Sequence, residues 1–381
     1  MRVLHVASGR LFGGIEQMLV TIARHQAITP DVTATFAVAA PGRLARALSA
    51  SGVQAHDLGD VRLSRPGSVV RARRRFRALL QSTGAQAAIC HAPWSYAIFA
   101  PVARRAGVPA VWWQHDRADG SPLVERWAAR TPAALVIANS SWTSRSAGAL
   151  QPDAPVTVIH PPVAVECSSD ELREEQRRSL GAGRDELVVF CASRLEPWKG
   201  HRHLLRALAN LRTSRSWRAW IAGGAQRPHE QNYAAELRRE VAALGLESRV
   251  EFLGERRDVP SLMHAADIFC QPNERPEPFG VVFAEALLSG LPVVTTDMGG
   301  APEIVSNQCG RLVPPEDTAA LAGVLAELID NEELRARLAA AGHGHATARC
   351  APSVVLPQLA RAVERVRVKR EPPVASRQGE I

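Results

Sequence analysis

Two glutamates eight residues apart, Glu277 and Glu285, bracket a Pro278-Phe279-Gly280 segment that leads from a buried-type apolar run into a helical pattern. Pro276 and Pro278 restrict the backbone around Glu277, and Gly280 removes the side chain that would keep a ligand from the first free N–H groups of the helix. Such an opening turn offers unpaired donors and a partial positive charge, which is the chemistry of a phosphate seat. Glu285, one to two turns further in, has a carboxylate suited to accept from both hydroxyls of a ribose, and Glu277 reaches what lies beyond the phosphates. A hydrolytic acid/base pair fits less well. Eight helical residues rise ~12 Å, more than the ~5–9.5 Å between paired glycosidase carboxylates.

A second set is cationic. Arg194 and Lys199 follow the apolar run 187–192, and Gly200 opens the next helix. Cations at the carboxyl end of a strand would hold a phosphate-bearing leaving group. The chain has no Asp-x-Asp, the usual carboxylate pair for a divalent ion, so neither metal nor cofactor is expected. Gly13 and Gly14 follow the first strand-like run and permit close backbone approach to a ligand, or make a tight turn. His91 and His115 each follow a strand-like run. Gly223-Gly224, Gly254 and Gly299-Gly300 do so too, as pocket lining or as routine turns.

The elements that must position these residues are short β-branched runs alternating with Ala/Leu/Arg-rich stretches, the pattern of parallel βαβ units. Strands are predicted at 3–7, 33–39, 87–91, 110–114, 134–138 and 156–159, then at 187–192, 218–222, 249–253, 267–271 and 292–296. His160-Pro161-Pro162 and the residues to Glu166 break the pattern as a linker. The predicted fold is α/β, with two doubly wound domains facing across a cleft. The predicted units are 1–163, 164–350, a last helix over 351–368 and a disordered tail over 369–381. In such sheets ligands sit outside the carboxyl ends of the strands.

With 381 residues, 46% of them hydrophobic, the chain has enough apolar mass for two cores. Six cysteines without C-x-x-C spacing read as reduced thiols. No apolar run approaches the ~20 residues that span a bilayer, and no signal-type segment opens the sequence, so a cytoplasmic protein is expected. The formal net charge of +8 concentrates in Arg71–Arg77, a helix with an expected apolar side at Val69, Val70, Phe76, Leu79 and Leu80. The basic face reads as a solvated surface of an ordinary domain, with peripheral docking on an anionic membrane as the alternative, and nucleic acid is not the expected partner.

Taken in order, these segments resemble the retaining glycosyltransferases of family 4, over nearly the whole chain. Gly13-Gly14-Ile15-Glu16 is similar to the family's Gly-Gly-x-Glu loop, and Gln114-His115-Asp116 to its His-Asp. Ser193-Arg194-Leu195 with Lys199-Gly200 resembles its Arg and Lys pair, and Glu277 to Glu285 its Glu-x7-Glu signature. Gly299-Gly300-Ala301-Pro302-Glu303 matches the sequel. The resemblance implies a GT-B fold and transfer of a sugar, with retention and without metal, from a UDP- or GDP-sugar to a carbohydrate or lipid-linked acceptor. It implies a catalytic set of His115, Glu277, Arg194 and Lys199. Donor binding would use Gly13, Gly14, Arg194, Lys199, Gly224, Glu277, Phe279, Gly280, Val281 and Glu285. Acceptor binding would use His91 and Glu16, and the last helix would cross back onto the first domain. A nucleotide-sugar epimerase and a non-catalytic polyanion-binding protein are the alternatives.

Overall fold

The computed structural model describes residues 1–166, 169–225 and 228–366 of the chain. Cys167, the last two residues of the predicted final helix and the predicted disordered tail lie outside them. Among the described residues the first parallel sheet contains β1 (Arg2–Ala7), β2 (Thr33–Val38), β3 (His56–Asp57), β4 (Ala87–His91), β5 (Ala110–Gln114), β6 (Leu135–Ala138) and β7 (Val156–Val158). The second contains β8 (Leu187–Ala192), β9 (Trp217–Ala222), β10 (Val250–Gly254), β11 (Ile268–Gln271), β12 (Val293–Thr296) and β13 (Gly310–Val313). The central strands β4, β5 and β8 are buried at every position, as strands covered by helices on both faces must be.

Strand order is β3-β2-β1-β4-β5-β6-β7 in the first sheet and β10-β9-β8-β11-β12-β13 in the second. Each order reverses once, between β1 and β4 and between β8 and β11. Loops leaving those neighbouring strands diverge there and leave a crevice, the usual ligand site of open α/β sheets. The loops carrying Gly13-Gly14, Arg194-Lys199 and Glu277-Gly280 leave β1, β8 and β11. The two switch points therefore bring the predicted segments together.

One face of the first sheet packs Phe76, Tyr96 and Trp112, and the other packs Met18, Phe36 and Trp113. The helix Pro352–Glu364 contributes Val355, Leu356, Leu359 and Val363 to this second face. The last helix thus returns from the second unit to the first. On the arginine-rich helix Pro66–Thr83, Val69, Ala72, Phe76, Leu79 and Leu80 are buried, but Val70 is 48% exposed and does not belong to the apolar side. Residue 70 lies one position past Val69, so a 3.6-residue turn carries it off the stripe. Arg73 turns inward, its Nε donating to the Ile98 carbonyl at 2.9 Å.

The two units also meet through polar contacts. Glu303 accepts from the backbone amides of Ser141 (2.9 Å) and Trp142 (3.0 Å), at the N-terminus of the helix Ser141–Leu150. Ser140 Oγ donates to the Pro278 carbonyl at 2.6 Å, and Arg43 pairs with Glu255. The cysteines at 90, 191, 270, 309 and 350 are buried and unpaired by disulfides. Among the described residues no helix is long and apolar enough to cross a membrane.

Candidate active site

β11 ends at Gln271, and the loop after it runs past Glu277 to Gly280, where the helix Val281–Leu288 begins. Gly280 has φ of 91°, a left-handed conformation natural only to glycine, and a Cβ there would lie 2.2 Å from the Phe283 ring. This tight turn leaves the opening amides of the helix facing a cleft of about 1540 Å³ lined by Phe279, Gly280, Val281 and Glu285. The same cleft is lined by Gly13, Gly14, His115, Arg194, Lys199, Gly224 and Glu277. Both cations and the helix start thus share one cavity. Its volume exceeds the ~300–1,000 Å³ of ordinary small-ligand sites, which leaves room for two substrates.

Lys199 Nζ lies 2.7 Å from Glu277 Oε2 and 3.8 Å from the centre of the Trp198 ring. Asn273 Nδ2 donates to the same Glu277 oxygen at 3.0 Å. Arg194 is held by Glu196 at 3.0 Å and Glu230 at 3.5 Å. These carboxylates fix the two cations at the strand end while leaving each with further N–H donors. Gly14 faces Val281 of the opposite unit, and a Cβ at residue 14 would reach ordinary van der Waals contact with Val281 Cγ2, at 3.5 Å.

Burial drives the electrostatics. Glu285 is raised from its ordinary value to about 7 by loss of solvent, so near neutrality it stands poised between acid and carboxylate. Asp116, next to His115, is raised by burial and by the charge of Glu277. His115 is lowered by burial to about 3 and stays neutral.

Two expected acceptor contacts are placed elsewhere. His91 is 2% exposed and sits beneath the cleft, its Nδ1 2.9 Å from His115 Nε2 and its Nε2 3.0 Å from His5 Nδ1. Its position as the last residue of β4 turns its side chain with Ala87 and Ile89 toward the packed face, away from the opening. Glu16 is also buried, its carboxylate accepting from the Gly13 amide at 3.0 Å as the return half of a capping box. It shapes the glycine loop and does not line the cleft.

Sequence reasoning passed over other lining residues. Gln114 Nε2 and Oε1, Asn139 Oδ1 and Gln271 Oε1 are buried without a hydrogen bond, and all three residues line the cleft. Buried amides are normally satisfied, so unmet capacity at a cavity wall marks ligand-facing groups. The available signal was position, since each closes or directly follows a strand. Arg43, Arg46, Arg117, Arg257 and Arg275 also line the cleft.

Two parallel α/β units, facing across a cleft at both switch points with the last helix crossing back, define the GT-B class of glycosyltransferases. Residues 12–166 match the family model for Glycosyltransferase Family 4, and residues 172–345 match Glycosyl transferases group 1. The chain belongs to this group 1, family 4 lineage of glycosyltransferases. It is similar to the lipopolysaccharide core biosynthesis mannosyltransferase LpsB of Rhizobium meliloti, 33% identical over 198 residues, or 51% of this chain and 55% of the relative. It is 35% identical over 193 residues to the D-inositol 3-phosphate glycosyltransferase of Corynebacterium glutamicum, 48% of this chain and 45% of the relative. The chain thus spans about half the length of the curated relatives it matches. Among solved structures it is similar to Anabaena HepE in complex with UDP and glucose, with TM-score 0.84 and 27% identity over 96% of this chain and all of that one. The fold is shared with a Rickettsia africae glycosyltransferase, TM-score 0.82 and 17% identity, over 96% of this chain and 98% of that one.

Proposed function

We propose that the protein transfers a sugar from a nucleoside-diphosphate donor to a hydroxyl of a carbohydrate or lipid-linked acceptor, with retention at the anomeric carbon and without a divalent metal. The observation that carries this reading is the convergence of Arg194, Lys199 and the Phe279–Val281 helix start on one cleft. Together they supply fixed positive charge where a pyrophosphate would leave. Glu285, deeper along the helix, would take the ribose hydroxyls, and Glu277 the transferred sugar. The amides of Gln114, Asn139 and Gln271 would meet further sugar or acceptor hydroxyls.

In this scheme the acceptor oxygen attacks the anomeric carbon on the face that the diphosphate leaves. The new C–O bond forms as the old one breaks, and the acceptor proton passes to the departing β-phosphate. The protein contributes positioning and charge stabilisation. Among the described residues no cluster of three His, Cys, Asp or Glu side chains has metal-site geometry. The cations at 194 and 199 would carry the neutralising role that a metal plays elsewhere.

A donor panel containing UDP-glucose and GDP-mannose tests the reading, since UDP accompanies HepE and one relative from Corynebacterium glutamicum is named as GDP-mannose-dependent. Donor turnover that persists in EDTA and yields a product of unchanged anomeric configuration is expected. Failure of every donor to bind or turn over would defeat it. The exposed arginines of the helix Pro66–Thr83 are the surface we assign to anionic lipid, and co-sedimentation with anionic but not neutral vesicles checks that assignment.

A further inference from the structure

His5, His91 and His115 lie on neighbouring strands or just beyond one, and they join into an unbroken chain. His5 Nδ1 is 3.0 Å from His91 Nε2, and His91 Nδ1 is 2.9 Å from His115 Nε2. The rings are stacked at 5.3 Å and 5.2 Å, clamped by Phe36 beneath His5 and by Trp113 beside His91 and His115. One end, His115, lines the cleft. The other, His5, lines a separate small cavity walled mainly by Val3, Ile22, Ile89, Leu356 and Val363. The proposed glycosyl transfer gives His5 and His91 no role in direct contact with substrate.

A neutral imidazole carries one ring proton, so each hydrogen bond in the chain fixes the next. If His5 donates from Nδ1, His91 accepts at Nε2 and donates from Nδ1, and His115 accepts at Nε2. Its only remaining N–H, at Nδ1, then faces the cleft. The reverse direction leaves His115 Nδ1 a bare acceptor and puts an N–H on His5 Nε2. That nitrogen has no hydrogen-bond partner among the described residues, and His5 lines a cavity with a mainly apolar wall, where an N–H would go unanswered. Asp116 and Glu277 place carboxylates near the cleft end of the chain, which an N–H on His115 complements. Burial lowers His5 to about 3 and His91 well below its ordinary value, which keeps the chain neutral.

We propose that His5 and His91 are positioning residues which lock His115 into its Nδ1–H tautomer, presenting a neutral N–H donor to an oxygen of the donor sugar or its phosphate. This rests on the glycosyltransferase reading for its purpose, but the tautomer itself is measurable without turnover. Nitrogen-15 spectra of histidine-labelled protein, free of substrate, are expected to show His115 protonated at Nδ1 and not at Nε2. In His91→Leu that preference is lost and donor kcat falls about tenfold, one hydrogen bond's worth, with UDP binding unchanged. His91→Asn, which restores an N–H donor near the Nδ1 position, recovers both the tautomer and most of the rate. Finding His115 as the Nε2–H form or the imidazolium in the parent protein would overturn the proposal, whether or not the variants fold. So would an unchanged His115 tautomer in folded His91→Leu. Absence of turnover with the expected tautomer in place would count against the glycosyltransferase reading alone.

Discussion

At the scale of single residues, the site is built from charges placed where water is scarce. Glu285 shows the consequence. Its folded value near 7 lies above the 4.5 of an unburied glutamate, so between those values the folded chain holds a proton that the unfolded chain has released. Stability from this group is complete below about 4.5 and declines as pH rises through 7. Glu285→Gln is therefore expected to melt at a higher temperature than the parent at pH 8, with the gap closing at pH 4. Nucleotide affinity should run the other way, weakening below pH 7 in the parent as a carboxylate acceptor is lost, and showing no such slope in the variant. Calorimetry at several pH values checks both. Lys199 and Arg194 make a second residue-scale prediction. Truncating either to alanine removes a fixed charge aimed at the leaving group, a loss of about 10²–10³ in kcat for one such donor, while circular dichroism stays unchanged. Near-normal rates in both variants would remove the central claim of the mechanism.

At the scale of elements, the site depends on loops pressed together more closely than side chains permit. Gly200, at φ 76°, ends the loop after β8, and a Cβ there would fall 1.7 Å from the Pro272 carbonyl in the loop after β11. That contact seats Lys199 against Glu277, so Gly200→Ala is expected to destabilise the fold by about 2–3 kcal/mol. It should also raise donor KM, as measured by denaturant melts and steady-state kinetics. Most of this architecture could be read from the sequence, since β8 is a uniform apolar run and β4 and β5 are apolar up to the polar residue that closes each. The runs 3–7 and 187–192 likewise announce the strands before the glycine and cation loops. β3 could not be read, because His56 and Asp57 are polar, exposed and only two residues long. β13 was hidden by Gly310 and Arg311 at its start, which break any apolar run. The cation and glutamate motifs were legible because each is contiguous. The histidine chain was not, because its members are separated by 86 and 24 residues and meet only through strand pairing. Parity held the clue. His5 alternates with Leu4 and Val6, so it shares a face with Val3 and Ala7.

At the scale of the whole molecule, function requires two units to present their halves of the cleft at one distance. Glu303 is one of the contacts that hold that distance in this structure. Its loop is tied to the donor loop, because the Gly300 amide donates to the Glu277 carbonyl at 2.7 Å. Its carboxylate meanwhile caps the helix Ser141–Leu150 of the opposite unit and accepts from His160 Nε2 at 3.4 Å. Burial alone would raise Glu303, yet the bonds from His160 and from the Ser141 and Trp142 amides outweigh it and hold the group below its ordinary value. The contact therefore survives through neutral and mildly acidic pH and is lost only as pH falls below the normal carboxylate range. Glu303→Gln keeps the shape but removes the charge and one of the two acceptors from the helix N-terminus, at a cost of about 1 kcal/mol. A two-state closure equilibrium would shift by roughly fivefold toward the open form. The expected outcome is a larger radius of gyration by small-angle scattering and a donor KM raised by about the same factor. Melting of each unit should be little changed, because Glu303 belongs to neither core. A variant with parental scattering and parental KM would mean that Arg43–Glu255 and the last helix hold the units closed without it.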